Sequence, residues 1–130
     1  MPRRGVLRIY LGAAPGVGKT YAMLDEGQRR LERGTDVVIG FVQTHGRKHT
    51  AKQIGDLPLV APKKVTYRDT VFEEMDLQAV LDRHPDVALV DEFAHTTVPG
   101  SGPHEKRWQD VHELLDAGID VISTVNVQHL

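Results

Sequence analysis

The sequence alternates four short runs of apolar and β-branched residues with segments of helical periodicity. The runs are Val6–Leu11, Asp36–Val42, Asp86–Val90 and Asp120–Val125. Apolar runs of this length are typical of strands that are buried on both faces of a sheet. Alternation of such strands with helices predicts an α/β fold in which a parallel sheet with right-handed crossovers lies between two helical layers.

Three segments have the apolar spacing of helices, with a period of about 3.6 residues. They are Gly18–Arg33, Glu73–Arg83 and His104–Ala117, and a Gly or Pro follows each of them within two residues. Gly and Pro in these positions are common helix terminators. Residues 43–72, between the second apolar run and the second helical segment, are less regular. Within them, Leu57–Val60 and Lys64–Tyr67 are compatible with short strands or with extended loop.

Composition narrows the function classes. The chain has 16 basic and 18 acidic residues and a formal net charge of −2, so no overall attraction to nucleic acid or to an anionic membrane is expected. It has no cysteine, which excludes disulfides and thiolate metal sites. We find no signal peptide and no apolar run of about 18 residues, so a cytoplasmic location is expected. The sequence stops directly after a strand-like run, and we expect a piece of a longer protein.

A glycine-rich segment, Gly12–Thr20, follows the first run and opens the first helical segment. This is the context of a phosphate-binding (Walker A) loop. Glycines let backbone N–H groups turn toward an anion, and the helix N-terminus adds positive potential. We predict that Lys19 contacts the β- and γ-phosphates and assists catalysis, and that Thr20 offers its hydroxyl to Mg²⁺. The segment therefore predicts binding of a nucleoside triphosphate, with ATP and Mg²⁺ as ligands.

The third run ends in two carboxylates, Asp91 and Glu92. Ligands of parallel sheets bind at the carboxyl ends of the strands. We predict that Asp91 holds Mg²⁺ through its water shell as the partner of Thr20. Glu92 is placed to orient or deprotonate a nucleophile, with a salt bridge or a cap as the alternative role.

The fourth run ends in polar residues. As in phosphate-loop proteins with Asp-Glu at the acidic strand end, we expect this strand to lie between the first and third, which predicts a P-loop NTPase-like sheet of order 2-3-4-1. Thr124 or Asn126 then faces the γ-phosphate, although Asn126 also suits a simple turn. The absence of an Asn-Lys-x-Asp run favours adenine over guanine. The predicted nucleotide-binding residues are Ala14, Pro15, Gly16, Val17, Gly18, Lys19, Thr20, Tyr21 and Asn126.

Several other polar residues have two interpretations. Arg47, in the basic segment after the second run, suits either a phosphate contact or a solvated loop. His95 suits phosphate sensing, but a structural role is favoured. Lys106 and Arg107 suit anion contacts, but surface positions are favoured. No zinc site is predicted from the loop histidines.

The segments Gly12–Tyr21, Thr44–Arg47, Asp91–Thr96, Val98–Ser101, Lys106–Val111 and Asn126–Leu130 occur together and in this order. In these motifs the chain resembles the N-terminal cytoplasmic domain of the KdpD family, the osmosensitive potassium-channel sensor histidine kinases. The resemblance implies that residues 1–130 form an ATP-binding regulatory domain of a bacterial inner-membrane sensor in a two-component system. It also implies that the remainder of that membrane-bound kinase is its partner.

Three functions remain open from the sequence. The first is a regulatory switch in which bound ATP changes the loops Gln43–Lys52 and His95–His104. The second is an ATP-hydrolysing or phosphotransferring enzyme, similar to thymidine kinases or corrinoid adenosyltransferases. The third is an interaction module whose loop no longer binds nucleotide. In the predicted strand order the first strand has an open edge, which also predicts self-association.

Overall fold

The computed structural model of the chain describes residues 3–12, 17–43 and 52–127. The strands are β1 (Leu7–Gly12), β2 (Val37–Phe41), β3 (Lys63–Tyr67), β4 (Thr70–Glu74), β5 (Val87–Val90) and β6 (Asp120–Asn126). The helices are α1 (Val17–Glu32), α2 (Leu77–Arg83) and α3 (Arg107–Asp116).

A parallel sheet of four strands forms the centre of the fold, in the order β1-β6-β5-β2. If these strands are numbered as the four apolar runs and the sheet is read from the β2 edge, the order is 2-3-4-1. The strands β2 and β5 are buried along their whole length. The prediction of an α/β fold around a parallel sheet is therefore confirmed.

The two faces of this sheet are covered by different helices. On one face, Met23 and Leu24 of α1 pack against Ile39, Leu89 and Ile122. On the other face, apolar side chains of α2 and α3 pack against the alternate strand residues; the residues of this second core include Val80, Val111, Leu114, Val38, Ala88, Val90 and Val121. Because strand side chains alternate between faces, the continuous apolar runs supply both cores.

The strand β1 differs from the predicted burial on both faces. Its residues are intermediate or exposed, and Leu11 is 60% exposed. Among the described residues, β1 pairs only with β6, so one of its edges lacks a neighbouring strand. The apolar run identified a strand correctly, and the open edge agrees with the predicted strand order, but the run alone did not indicate that β1 is only partly buried.

A small antiparallel hairpin of β3 and β4 lies outside the main sheet. The prediction of a helix from Glu73 is wrong, because Thr70–Glu74 is a strand and α2 begins only at Leu77. Asp76 fixes this start, since its carboxylate accepts a hydrogen bond from the Ala79 N–H at 3.1 Å. Such a side-chain cap satisfies one of the otherwise unpaired amides of the first helical turn.

The third helix is also shorter than predicted, since α3 starts at Arg107 and not at His104. Lys106 has extended backbone (φ −121°), which ends the preceding loop. The Gln109 side chain accepts a hydrogen bond from the Lys106 N–H at 3.0 Å and so closes the N-terminus of the helix. As a result, His104 lies in the loop that leads into α3.

Candidate functional site

Asp91, directly after β5, lies at the centre of a buried polar cluster at the carboxyl edge of the sheet. Its side chain is almost completely buried, with the residue 2% exposed. The carboxylate accepts hydrogen bonds from the Thr20 hydroxyl at 3.0 Å, from the Thr124 hydroxyl, and from the Gln43 N–H at 3.1 Å. Because parallel strands end at the same edge, this cluster joins residues that are distant in the sequence.

Thr20 and Asp91, the two predicted Mg²⁺ residues, lie in direct contact in this cluster. Thr20 belongs to the second turn of α1 and is 8% exposed. A hydroxyl and a carboxylate are hard oxygen ligands of the type that Mg²⁺ prefers, directly or through its waters. The pair therefore has the chemistry that a Mg²⁺ site needs.

Lys19 lies back over the end of β1, beside Gly12. A Cβ atom added to Gly12 would lie 2.6 Å from Lys19 Cδ and 3.1 Å from Lys19 Nζ. Real Cβ contacts are not this short, so the glycine leaves the space that the lysine stem occupies. This arrangement brings the ammonium group to the start of the segment that the sequence predicts to bind phosphate.

Asn126 is opposite Gly12 in the register of β6 with β1. Its Oδ1 atom is buried and has no hydrogen-bond partner among the described residues. Native proteins rarely leave such an atom without a partner. A buried amide oxygen without a partner beside the end of β1 fits a site in which a bound polar ligand supplies the missing hydrogen bond.

Glu92 follows Asp91 in a left-handed backbone conformation, with φ 58°. Its N–H donates a hydrogen bond to the Thr124 hydroxyl at 2.9 Å. This turn separates the two acidic side chains, since Asp91 is buried whereas the Glu92 side chain is 41% exposed. Glu92 is therefore the acid of the pair that bulk water reaches.

Arg107 is not the surface charge that the sequence favoured, because it is only 1% exposed. Its guanidinium donates to the Asp91 carbonyl at 3.1 Å and to the Glu74 carboxylate at 2.9 Å, and it lies 4.1 Å from the centroid of the Phe41 ring. Burial lowers the pKa of Arg107, while the charges of Glu74 and Glu92 oppose that shift. Lys106 remains near the surface, where its ammonium bonds Thr96 at 2.6 Å.

Glu74, at the end of β4, is the partner that keeps Arg107 buried, and sequence reasoning did not identify it. Glu74 is 3% exposed and also accepts hydrogen bonds from His95 Nε2 at 3.0 Å and from the Val98 N–H at 2.8 Å. Burial acts to raise the pKa of Glu74, but these hydrogen bonds and the charge of Arg107 hold it below the ordinary value. No sequence signal distinguishes Glu74 from its exposed neighbour Glu73.

His95 connects this ion pair to the exposed acid. Besides its hydrogen bond to Glu74, it has Nδ1 3.9 Å from the Glu92 carboxylate. The sequence favoured a structural role for His95, and Glu74 is its partner in that role.

Some predicted residues lie outside the described part of the chain. These are Ala14, Pro15, Gly16, Thr44, His45, Gly46, Arg47, Lys48 and His49. Val17 begins α1, Gly18 is exposed in its first turn, and Tyr21 is 45% exposed in the next.

The fold and this cluster define an α/β domain with a buried hydroxyl–carboxylate centre at the carboxyl edge of a parallel sheet. The family described as KdpD, osmosensitive K+ channel His kinase sensor domain, matches residues 3–130. The chain therefore belongs to the KdpD sensor-domain family, as its motifs indicated.

Individual relatives agree with this assignment. The chain is 66% identical over 128 residues to Sensor protein KdpD of Mycobacterium tuberculosis (strain ATCC 25618 / H37Rv), a match that covers 98% of this chain and 15% of the relative. It is 54% identical over 129 residues to Sensor protein KdpD of Escherichia coli (strain K12), which covers 99% of this chain and 14% of the relative. With the Clostridium acetobutylicum protein of the same name, identity is 46% over 127 residues, covering 98% and 14%.

The chain thus spans about one-seventh of the length of these relatives. No helix in the described ranges has the length and apolar character needed to cross a membrane.

Proposed function

We propose that this chain is the ATP-binding regulatory domain of a potassium and osmotic sensor kinase, and that bound Mg·ATP modulates the kinase and phosphatase output of the whole sensor. One observation carries the proposal. The Thr20 hydroxyl contacts the buried Asp91 carboxylate at the carboxyl edge of the sheet, and Lys19 lies beside Gly12 at the same edge.

The residues present fit the ligand. Lys19 supplies an ammonium for phosphate oxygens, and the first turn of α1 supplies N–H groups and the positive end of the helix. Thr20 and Asp91 would hold Mg²⁺, which neutralises phosphate charge when it is bound. Asn126, whose Oδ1 lacks a partner among the described residues, provides a further polar contact beside the loop.

Calorimetric titration with Mg·ATP tests this proposal. Lys19→Ala is expected to weaken binding at least tenfold, or by about 1.4 kcal/mol, because a charge-assisted contact to phosphate is lost. Lys64→Ala is the matched control, since Lys64 is exposed on β3. Equal affinities for the wild type and both variants would refute the proposed site, as would the absence of binding by folded wild-type chain.

The regulatory part of the proposal rests on the ion-pair network behind Asp91. Arg107 joins the Asp91 carbonyl to Glu74, and His95 joins Glu74 to the neighbourhood of Glu92. A polyphosphate at the sheet edge adds negative charge next to this network. We expect that charge to favour one arrangement of the His95–His104 loop, which a partner domain then detects.

A full-length sensor that carries this domain provides the test. Lys19→Ala is expected to remove the ATP dependence of its kinase-to-phosphatase ratio, while Lys64→Ala leaves that dependence intact. If Lys19→Ala abolishes ATP binding to the domain but leaves the ratio unchanged, the nucleotide site exists and the regulatory role is wrong.

The exposed carboxylate of Glu92 supports a second candidate function, ATP hydrolysis or phosphoryl transfer. An exposed acid beside a Mg²⁺ site is able to orient or deprotonate a nucleophile. Multiple-turnover hydrolysis by the wild type and by Glu92→Gln separates the candidates. Turnover of about 1 per second or faster that the substitution abolishes favours an enzyme. Slower turnover, or turnover that persists in the variant, favours the regulatory domain.

A further inference from the structure

A second group of metal-binding side chains lies where the loop before α3 meets the helix. His104, Asp110 and Glu113 each present one nitrogen or oxygen ligand atom, and these three atoms lie within 4.8 Å of one another. Asp110 and Glu113 are three residues apart on α3 and therefore share one helix face. The group is separate from the Thr20–Asp91 centre and shares no residue with it.

The Asp110 carboxylate points to a missing ligand. Asp110 is 7% exposed, and its Oδ1 atom is buried without a hydrogen-bond partner. In the described part of the chain, the cationic side chains of Arg107 and Lys63 bond to other groups and form no ion pair with this carboxylate. A buried carboxylate oxygen without a hydrogen bond is unfavourable, and a bound cation removes that penalty.

The other two side chains are already in place around it. His104 Nε2 lies 2.5 Å from Glu113 Oε2, and the backbone carbonyl of His104 accepts a hydrogen bond from the Thr97 hydroxyl at 2.7 Å. The loop that carries the imidazole is thus anchored independently of the cluster. His104 and Glu113 are 27% and 45% exposed, which leaves an entry path from solvent.

We propose that His104, Asp110 and Glu113 form a binding site for a divalent transition-metal ion, with Zn²⁺ as the best match. One imidazole and two carboxylates are ligands that Zn²⁺ accepts at about 2.0–2.2 Å in tetrahedral geometry. Ligand atoms around such an ion are roughly 3.3 Å apart, so small side-chain movements suffice. Water fills the fourth position, which faces the solvent. Bound metal clamps the loop to α3.

Sequence spacing does not predict this site. Its imidazole comes from a loop and its carboxylates from a helix, so there is no pair of histidines one turn apart. Only the backbone path through Thr97 and Lys106 brings His104 back over the first turns of α3.

Titration of the chelator-treated chain with Zn²⁺ by calorimetry, and with Co²⁺ by visible absorption, tests the site. His104→Gln and Glu113→Gln are each expected to weaken binding of one ion at least about tenfold and to remove the tetrahedral Co²⁺ spectrum. The matched control is His112→Gln, because His112 is an exposed histidine of the same helix outside the cluster. Wild-type chain is also expected to unfold at a higher temperature with Zn²⁺ than without it.

Three outcomes overturn the proposal. The first is binding no tighter than millimolar in the wild type. The second is affinity that both cluster variants retain, which assigns the ion to other histidines. The third is that His112→Gln weakens metal binding as much as the two cluster variants do. Neither His104 nor Glu113 is buried, so these variants are expected to fold, and circular dichroism verifies this before titration.

Discussion

Thr124 forms hydrogen bonds with both acids at the end of β5. Its hydroxyl donates to the Asp91 carboxylate and accepts from the Glu92 N–H at 2.9 Å, and the residue is 3% exposed. The first bond directs Asp91 toward Thr20, and the second supports the left-handed turn at Glu92. One buried hydroxyl thereby links the buried acid to the backbone of the exposed one.

Thr124→Val is therefore expected to lower the free energy of unfolding by about 1–3 kcal/mol, because the Glu92 N–H loses its partner. The same variant is expected to weaken the Mg²⁺ dependence of ATP binding. Thr124→Ser keeps the hydroxyl and loses only a methyl group, so its unfolding free energy is expected to stay closer to that of the wild type. Urea denaturation measures both variants. A larger loss for Ser than for Val would show that methyl packing matters more than the hydrogen bonds.

Glu74 and Arg107 form a buried ion pair, in which the loss of one partner leaves the other charge uncompensated. Removal of one member of such a pair typically costs about 3–5 kcal/mol. Glu74→Gln keeps the shape of the side chain but removes the charge, so a loss near the lower end of that range is expected at pH 7. Glu73→Gln on the same strand is the control, because Glu73 is exposed. Similar losses for both variants would contradict this account.

The pH dependence of the same pair has a definite sign. The pKa of Glu74 is lower in the folded chain than its ordinary value of 4.5. Its stabilising contribution is therefore complete above that value and is lost as the pH falls through the folded pKa. The gap in unfolding free energy between wild type and Glu74→Gln is expected to narrow below about pH 4.5. A gap that stays constant from neutral pH down to acid denaturation would contradict the prediction.

At the scale of single residues, the sequence indicated those residues that lie next to a predicted strand end or helix start. Asp91 and Thr20 were predicted together because each is adjacent to a recognisable strand or helix. The burial of Arg107 was not predictable in the same way, because its partner Glu74 is 33 residues away and belongs to a strand that local spacing had assigned to a helix. Long-range ion pairs depend on tertiary packing, which apolar periodicity does not describe.

At the scale of the elements, the C-terminal end of α2 has an unfavourable backbone conformation. Its C-cap His84 adopts φ 48° and ψ 59°, with its N–H bonded to the Val80 carbonyl at 3.0 Å. This left-handed conformation costs a side chain with a Cβ roughly 1 kcal/mol, whereas glycine adopts it readily. His84 is exposed, so nothing in its packing compensates.

His84→Gly is expected to raise the free energy of unfolding by about 0.5–1 kcal/mol. His84→Ala keeps the Cβ and is expected to give no such gain, so the difference between the two variants isolates the backbone term. Chemical denaturation of the three proteins provides the measurement. A glycine variant that is no more stable than the alanine variant would show that the left-handed cap is not strained.

The helices and main strands were predictable, because their apolar spacing extends over several turns or a whole buried strand. The hairpin was predictable only in part, because Lys64–Tyr67 was compatible with a strand or with extended loop and the residues of β4 were not recognised as a strand. The first four residues of β4 are exposed, so the strand has no buried apolar face to mark it. Its last residues continue into the apolar pattern of α2, which moved the predicted helix start to Glu73.

At the scale of the whole molecule, the two edges of the main sheet differ. The edge of β2 is covered, because Ile39 donates to the Pro58 carbonyl at 2.7 Å and accepts from the Val60 N–H at 2.9 Å. On the opposite edge, β1 has only β6 as a partner in the described part of the chain. Strand order made this asymmetry predictable from the sequence, whereas the cover provided by residues 57–60 depends on a loop that had no regular pattern.

An uncovered strand edge favours pairing with a second chain, and edge lysines are a natural way to prevent it. We expect the mass of this chain in sedimentation experiments to rise with concentration, because β1 exposes backbone groups and the 60% exposed side chain of Leu11. Leu11→Lys is expected to keep the chain monomeric. Val71→Lys is the control, since Val71 is 62% exposed on β4, away from this edge, and its association should match that of the wild type. A wild type that remains monomeric, or a Leu11→Lys variant that associates as strongly, would rule out pairing through β1.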